Sequence, residues 1–306
     1  MTNDDILYDL RPWENHEVRP RGSRGTLDKK QELMSIALFL LIAFGLMFTF
    51  GPVVYVTDAA DTGFSGLFYT LAAFSPCIAC IITRYRFHEG FRDGILYPKF
   101  TGHGKAYVLS VLLPLAYGVL SSILVTISLG AGFSFKTEGG IYTALANNMI
   151  MSVEFYYAMI ILIGEELGWR AFLYDKLEKL FGLHGSLIIG GIAWGLWHTP
   201  AIVHMGLNYG LDHPGFPYVG IVLMCVMCIG FGAVMQLLRK MSNSVIAPII
   251  AHAIIDTVGN TLISMFLIQE LAEGKQFTIG ICITVAAVIV GIPCWIYMSR
   301  KYTDIV

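Results

Sequence analysis

Long apolar stretches recur along the chain, and short polar connections separate them. Each is close to the 20 or so residues that an α-helix needs to cross a bilayer. The pattern therefore predicts an all-α, polytopic membrane bundle of about eight transmembrane helices. The stretches lie at about 32–56, 66–83, 106–130, 142–166, 185–205, 217–238, 244–268 and 277–298.

The composition supports a membrane protein and excludes an ordinary soluble domain. Of the 306 residues, 56% are hydrophobic and only 14% are charged, whereas soluble domains carry about 25% charged residues. So few charges cannot cover a soluble surface. We therefore expect an integral, multi-pass protein whose partner is the lipid bilayer, in the cell membrane if the source is prokaryotic. No nucleic-acid partner is expected.

Basic residues alternate from one connection to the next, which predicts the topology. Because basic residues are retained on the cytosolic side, both termini are expected to be cytosolic. Residues 1–31 are expected to form a polar, basic, flexible cytosolic tail, and 32–299 to form the membrane domain. The basic connections are the tail, 84–105, 170–184, Arg239-Lys240 and Arg300-Lys301.

Three apolar segments carry ionisable residues. A charged side chain at membrane depth costs at least about 2.5 kcal/mol, so such residues are candidates for a functional site by default. The segments hold Glu165-Glu166-x-x-x-Arg170, Trp194-x-x-x-His198 and His252-x-x-x-Asp256.

Helical spacing indicates how these side chains are arranged. Glu166 and Arg170 are i,i+4 neighbours and can pair, which leaves Glu165 to face another helix. His252 and Asp256 likewise share one helical face. Taken singly, each segment also fits a structural role: a salt-bridged helix end, a packing histidine or a hydrogen bond between helices. All three are expected at a similar depth, so together they predict one polar centre.

The three motifs, in this order, resemble those of the CPBP (Abi) family of intramembrane proteases, which includes the type II CAAX prenyl endopeptidases. The family pattern is EExxxR, FxxxH and HxxxN or HxxxD, and the resemblance covers about 146–268. Trp194 stands where Phe is usual, and Asp256 stands where the prenyl endopeptidases have Asn.

The resemblance implies hydrolysis of a peptide bond by an activated water. Glu165 would be the general base, and His198 would help to hold the water. His252 would stabilise the oxyanion, oriented by Asp256. Glu166 and Arg170 would support the site, with Trp194 as an aromatic wall. The substrate would be a membrane-associated peptide or a lipidated peptide.

No cofactor is expected, and catalytic zinc bound by Glu165, His198 and His252 is the alternative. The six cysteines include two C-x-x-C pairs within apolar runs, where small buried residues are common. The rival functions are a non-proteolytic immunity factor or scaffold, and a proton-coupled transporter.

Overall fold

The computed structural model describes residues 28–56, 70–90, 97–130, 155–259 and 274–302. The chain divides into a short N-terminal unit, Met1–Met34, and a helical body, Ser35–Val306. Every regular element within the described ranges is helical. The all-α fold predicted from the sequence is therefore confirmed.

The described helices are numbered in chain order. One π-helical turn, Trp169–Leu173, lies between two of them, and another, Ile255–Gly259, follows the helix that ends at Ile254. The helices are α1 (Lys29–Val56), α2 (Ser75–Arg86), α3 (Gly104–Leu129), α4 (155–168), α5 (Tyr174–Trp197), α6 (Thr199–Met205), α7 (Tyr218–Ser242), α8 (Ile246–Ile254) and α9 (Gln276–Tyr302).

Five helical stretches in the described part of the chain are long and apolar enough to cross a membrane. They confirm a polytopic membrane protein and the spans predicted at 32–56, 106–130, 217–238 and 277–298. The predicted spans 66–83, 142–166 and 244–268 lie partly outside the described residues, and so does the tail, so the count of eight stays a prediction. The five stretches are Lys29–Val53, Gly104–Leu129, Phe155–Met205, Tyr218–Ser242 and Gln276–Tyr302.

The stretch Phe155–Met205 is a helical hairpin. As one straight helix its 51 residues would extend about 77 Å, more than twice the thickness of the hydrocarbon core. The chain breaks at Gly182, whose φ is 68° and ψ 179°. Beyond the break Gly190 packs against the Tyr174 ring, and Trp194 reaches back to Glu165. Gly182 is therefore the turn between the two arms of the hairpin.

Glycines allow close contact between the helices around α7. Gly191 and Gly195 of α5 lie against the backbone of Ile229 and Cys225 in α7. On the other side of α7, Gly230 lies against Ala287 in α9. Small residues of this kind permit the close backbone approach on which helix association in membranes depends. They place α5, and with it Trp194, in a fixed position against α7.

The helix α5 ends immediately before a candidate site residue. His198 connects α5 to the short helix α6, and Pro200 occupies the first turn of α6. The break in the helix lies at His198, two residues before this proline. Thr199 donates to the Leu196 carbonyl across the junction, at 2.6 Å. His198 therefore lies at a helix end rather than inside a continuous span.

Gly195→Ala is expected to destabilise the protein by about 1–3 kcal/mol, the usual range for overpacking. The added Cβ would lie 2.5 Å from the Cys225 Cα, a backbone atom that cannot rotate away. Gly45→Ala is the matched control, because nothing lies within 4 Å of its added Cβ and alanine favours helix. Unfolding in detergent micelles measures both, and equal stability of the two variants would contradict the packing.

Asp212 and Arg300 are expected on opposite sides of the membrane. The loop around Asp212 packs against the start of α9, where the rings of His213 and Phe277 stack with centroids 4.8 Å apart. Arg300 lies at the other end of the same helix, 23 residues later, or about 35 Å away. Asp212→Cys should react with an impermeant thiol reagent in intact cells, and Arg300→Cys only after permeabilisation. Labelling of both in intact cells would contradict this topology.

Candidate active site

The carboxylate of Glu166 joins two of the three motif segments. Its Oε1 accepts a hydrogen bond from Arg170 Nη1 at 3.1 Å on the same helical stretch. The same oxygen accepts from His252 Nδ1 at 2.8 Å, across to α8. Glu166 and Arg170 are both fully buried. A buried charge is tolerated only when it is paired in this way, so Glu166 fixes the position of both partners.

Arg170 also connects this pair to the third segment. Its guanidinium carbon lies 4.0 Å from the centre of the Trp194 ring and 5.2 Å from the centre of the Tyr174 ring. A guanidinium over an indole face is attracted by the ring electrons, most strongly where water is excluded. Trp194 is therefore held by a cation–π contact between its ring face and Arg170, in addition to its apolar neighbours.

Trp194 lies among the remaining candidate residues. Its Nε1 donates to Glu165 Oε2 at 2.9 Å. Its ring centroid is 5.3 Å from that of His252, in an edge-to-face arrangement, and 6.0 Å from that of His198. Glu165, His198 and His252 thus surround one buried indole. The convergence predicted from the depths of the three segments is present in the fold.

The hydrogen bonds of His198 assign the roles of its two nitrogens. Nδ1 lies 2.9 Å from the Trp194 carbonyl oxygen, and because a carbonyl only accepts, the proton is on Nδ1. In the neutral ring Nε2 then carries a lone pair. The ring edge packs against Trp197, with centroids 4.9 Å apart. His198 is therefore held as a hydrogen-bond acceptor at Nε2.

A π-helical turn lies in each of the two segments that contribute acids. The first, Trp169–Leu173, begins directly after the paired acids and contains Arg170. The second, Ile255–Gly259, contains Asp256. Such turns are rare and often occur at functional sites. They change the direction of the side chains that follow, and nothing in the hydropathy pattern indicates them.

The start of α2 supports the site from outside the motifs. A Cβ on Gly168 would overlap Pro76, so only glycine allows this contact. Trp197 Nε1 donates to Ser75 Oγ at 3.0 Å. Ser75 and Pro76 therefore contact both arms of the hairpin that carries Glu165 and Trp194. Sequence reasoning does not identify these two residues, because their role depends on a contact between distant helices.

Asp256 lies near His252 on the same helical face, as the spacing predicts. Its Oδ2 is 3.8 Å from His252 Nε2, which is beyond hydrogen-bonding distance. Its side chain is 49% exposed, whereas Glu166, which holds the other nitrogen of His252, is fully buried. The Glu166–His252 contact was not predicted from the sequence. Its two residues are 86 positions apart, so no local spacing indicates it.

The described residues include no group of three His, Cys, Asp or Glu side chains placed to hold a metal ion. Nδ1 of His252 and Nδ1 of His198 are each engaged by protein oxygens. The zinc alternative that names Glu165, His198 and His252 is tested by the chelator experiment below.

All six cysteines are free thiols, and Cys225 alone of them is not buried.

Comparison with known proteins agrees with the motifs. The family model described as type II CAAX prenyl endopeptidase Rce1-like matches residues 147–258, a range that contains all three motifs. The chain is therefore similar to this family over its central part, and its five apolar helical stretches are those of a multi-pass membrane protein. A relative from Methanococcus maripaludis, named CAAX prenyl protease 2, is 28% identical over 189 residues. The alignment covers 60% of this chain and 64% of that protein.

Glu166→Gln is expected to lower the free energy of unfolding by about 3–5 kcal/mol, because it leaves Arg170 charged, buried and unpaired. Glu178→Gln is the matched control. Glu178 pairs with Lys240 at 2.6 Å, but both side chains are about one-fifth exposed, so its loss should cost about 1 kcal/mol or less. Unfolding in detergent micelles compares the two. Equal losses would show that Glu166 is not the buried anchor described above.

Proposed function

We propose that this protein is an intramembrane endopeptidase that hydrolyses a peptide bond of a membrane-associated substrate with an activated water. The observation that carries the proposal is the meeting of Glu165, His198 and His252 around the buried Trp194. A carboxylate and two imidazoles are the groups from which hydrolases build a general base and an oxyanion site. The family match to type II CAAX prenyl endopeptidases supports the same activity.

Glu165 is the general base in this proposal. Trp194 fixes Oε2 of its carboxylate, which leaves Oε1 to accept a proton from water. Glu166 is a poor candidate for this step, since its side chain is fully buried and its carboxylate is paired with the charged guanidinium of Arg170, which makes it a weaker base. The two adjacent acids thus have separate tasks, one in chemistry and one in structure.

In this proposal His198 binds the attacking water and His252 stabilises the oxyanion. With its proton on Nδ1, His198 offers the Nε2 lone pair to a hydrogen of the attacking water. His252 donates Nδ1–H to Glu166, and a second proton on Nε2 makes the ring a donor to the developing oxyanion. One such donor lowers the barrier by about 2.7–4 kcal/mol in other hydrolases.

Asp256 lies on the more exposed side of the His252 ring, opposite Glu166. Its half-exposed carboxylate is 3.8 Å from Nε2, the nitrogen that would face the substrate carbonyl. We assign it an electrostatic role on the protonated ring, with the orientation of the ring held by Glu166. This assignment differs from a direct donor at position 256, for which Asn would be the better residue.

The proposed substrate is a peptide attached to the membrane by a lipid. The acids and histidines belong to helices that span or border the bilayer, so a bound lipid would bring the scissile bond to their depth. The relative from Methanococcus maripaludis is named CAAX prenyl protease 2, a name that refers to prenyl chemistry. For this chain we propose the same chemical class, a peptide with an isoprenoid thioether near its C-terminus.

Glu165→Gln is expected to lower kcat by at least about 100-fold, the contribution typical of a general base. The assay uses purified protein and a fluorogenic prenylated peptide, with and without a chelator. Stability should change little, since Gln keeps the shape and still accepts from Trp194. Glu178→Gln is the activity control. Full activity of Glu165→Gln would contradict its assignment as the general base. If the wild type hydrolyses no peptide, an immunity or scaffold role is favoured. If the chelator abolishes the activity of the wild type, a zinc mechanism is favoured.

His252→Ala is expected to lower kcat by about 100-fold or more through loss of the oxyanion donor. Asp256→Asn should cost less than about 10-fold, or about 1.4 kcal/mol in the barrier, because Glu166 still holds the ring. Steady-state kinetics at fixed pH measure both. A loss in Asp256→Asn as large as in His252→Ala would show that Asp256, and not Glu166, orients the histidine.

A further inference from the structure

A groove of about 460 Å³ opens between α3, α7 and α9, away from the candidate active site. Its walls are apolar, and its single charged wall residue is Lys105. Val108 is 57% exposed and Tyr297 44%, so the groove opens on the outer surface of the bundle. It is lined by Lys105, Val108, Leu109, Leu237, Met241 and Tyr297.

One end of this groove is polar and positively charged. Lys301 Nζ lies 3.2 Å from Oη of Tyr297, the residue that lines the groove. Neither Lys105 nor Lys301 has a carboxylate partner among the described residues. Lys240, by contrast, is paired with Glu178 at 2.6 Å. Two uncompensated ammonium groups and one phenol therefore border an apolar groove.

The position of the groove matches the membrane surface on the basic side of the protein. Helix α7 ends with Arg239 and Lys240, and α9 ends with Arg300 and Lys301. His103 Nδ1 lies 2.7 Å from the Met241 carbonyl oxygen, which joins the start of α3 to the end of α7. All three helices thus present this end to the same surface, which the positive-inside rule assigns to the cytosol.

We propose that this groove binds one anionic phospholipid of the cytosolic leaflet. Lys105 and Lys301 contact the phosphate, and the Tyr297 hydroxyl donates to one of its oxygens. An acyl chain lies along Val108, which is about 4.5 Å deeper in the bilayer than Lys105 along α3. The site needs no assumption about the hydrolytic activity, since none of its residues belongs to the motifs.

Charge complementarity selects an anionic over a zwitterionic lipid. Juxtamembrane lysines are attracted to the negative lipids of the cytosolic leaflet, an effect worth about fivefold in affinity per lysine. A choline headgroup adds a positive charge beside the phosphate, which two lysines at the same place repel. Phosphatidylglycerol should therefore bind more tightly than phosphatidylcholine with the same chains.

The test is native mass spectrometry of the full-length protein in an equimolar mixture of phosphatidylglycerol and phosphatidylcholine. The wild type should retain one phosphatidylglycerol in preference. Lys105→Gln and Lys301→Gln should each lower its retention about fivefold, and the double variant about 25-fold. Arg86→Gln is the matched control, because it removes one exposed positive charge at the end of α2 that the groove does not use.

A second variant tests the apolar part independently of charge. Val108→Trp should fill the groove and lower phosphatidylglycerol retention, whereas Val119→Trp, at a similarly exposed position farther along α3, should not. Equal retention of the two lipids by the wild type would overturn the proposal, as would unchanged retention in the double lysine variant. If soluble glycerol phosphate displaces the lipid, the groove is a site for phosphate and not for a phospholipid. If removal of residues 1–27 raises lipid retention, the groove is normally occupied by the N-terminal tail and not by a lipid.

Discussion

The buried carboxylate of Glu166 is the interaction on which the rest of the site depends. A lone carboxylate at this depth would be costly, and Glu166 is stabilised by contacts with Arg170 and His252 at once. Buried ion pairs contribute little net stability compared with apolar residues of the same size, but removal of one partner is severe. The pairing therefore acts as a constraint on geometry: the hairpin and α8 fit together in one register.

That constraint needs helices that approach closely, and the glycines provide the approach. Gly191 and Gly195 bring α5 against α7, and Gly168 brings the first arm of the hairpin against Pro76. With these contacts Trp194 is held between Arg170 on one face and Glu165 at its indole nitrogen. The polar centre is thus enclosed by packing that no single motif residue supplies.

Much of this arrangement follows from the sequence, because it depends on local spacing. Apolar length predicts the spans of α1, α3, α7 and α9, and Gly182 marks the turn of the hairpin. The i,i+4 rule predicts the contact of Glu166 with Arg170. These features depend on residues within one helix or its end, where hydropathy and spacing are informative.

The features of the site that the sequence does not predict are contacts between different helices. The Glu166–His252 contact joins residues 86 positions apart, and the support from Ser75 joins residues 122 positions apart. The π-helical turns at Trp169–Leu173 and Ile255–Gly259 have no counterpart in the hydropathy pattern. Residues of one motif are therefore easy to group, but which acid holds which histidine follows only from the fold.

Glu166 and His252 form one buried unit, and a double-mutant cycle on unfolding in detergent tests their coupling most directly. Glu166→Gln, His252→Ala and the double variant are compared with the wild type. Residues in contact usually show a coupling energy of about 0.5–3 kcal/mol, and for this pair we predict about 1 kcal/mol or more. If the two single-variant losses in unfolding free energy add to the double-variant loss within about 0.5 kcal/mol, as for distant independent sites, Glu166 and His252 are not coupled.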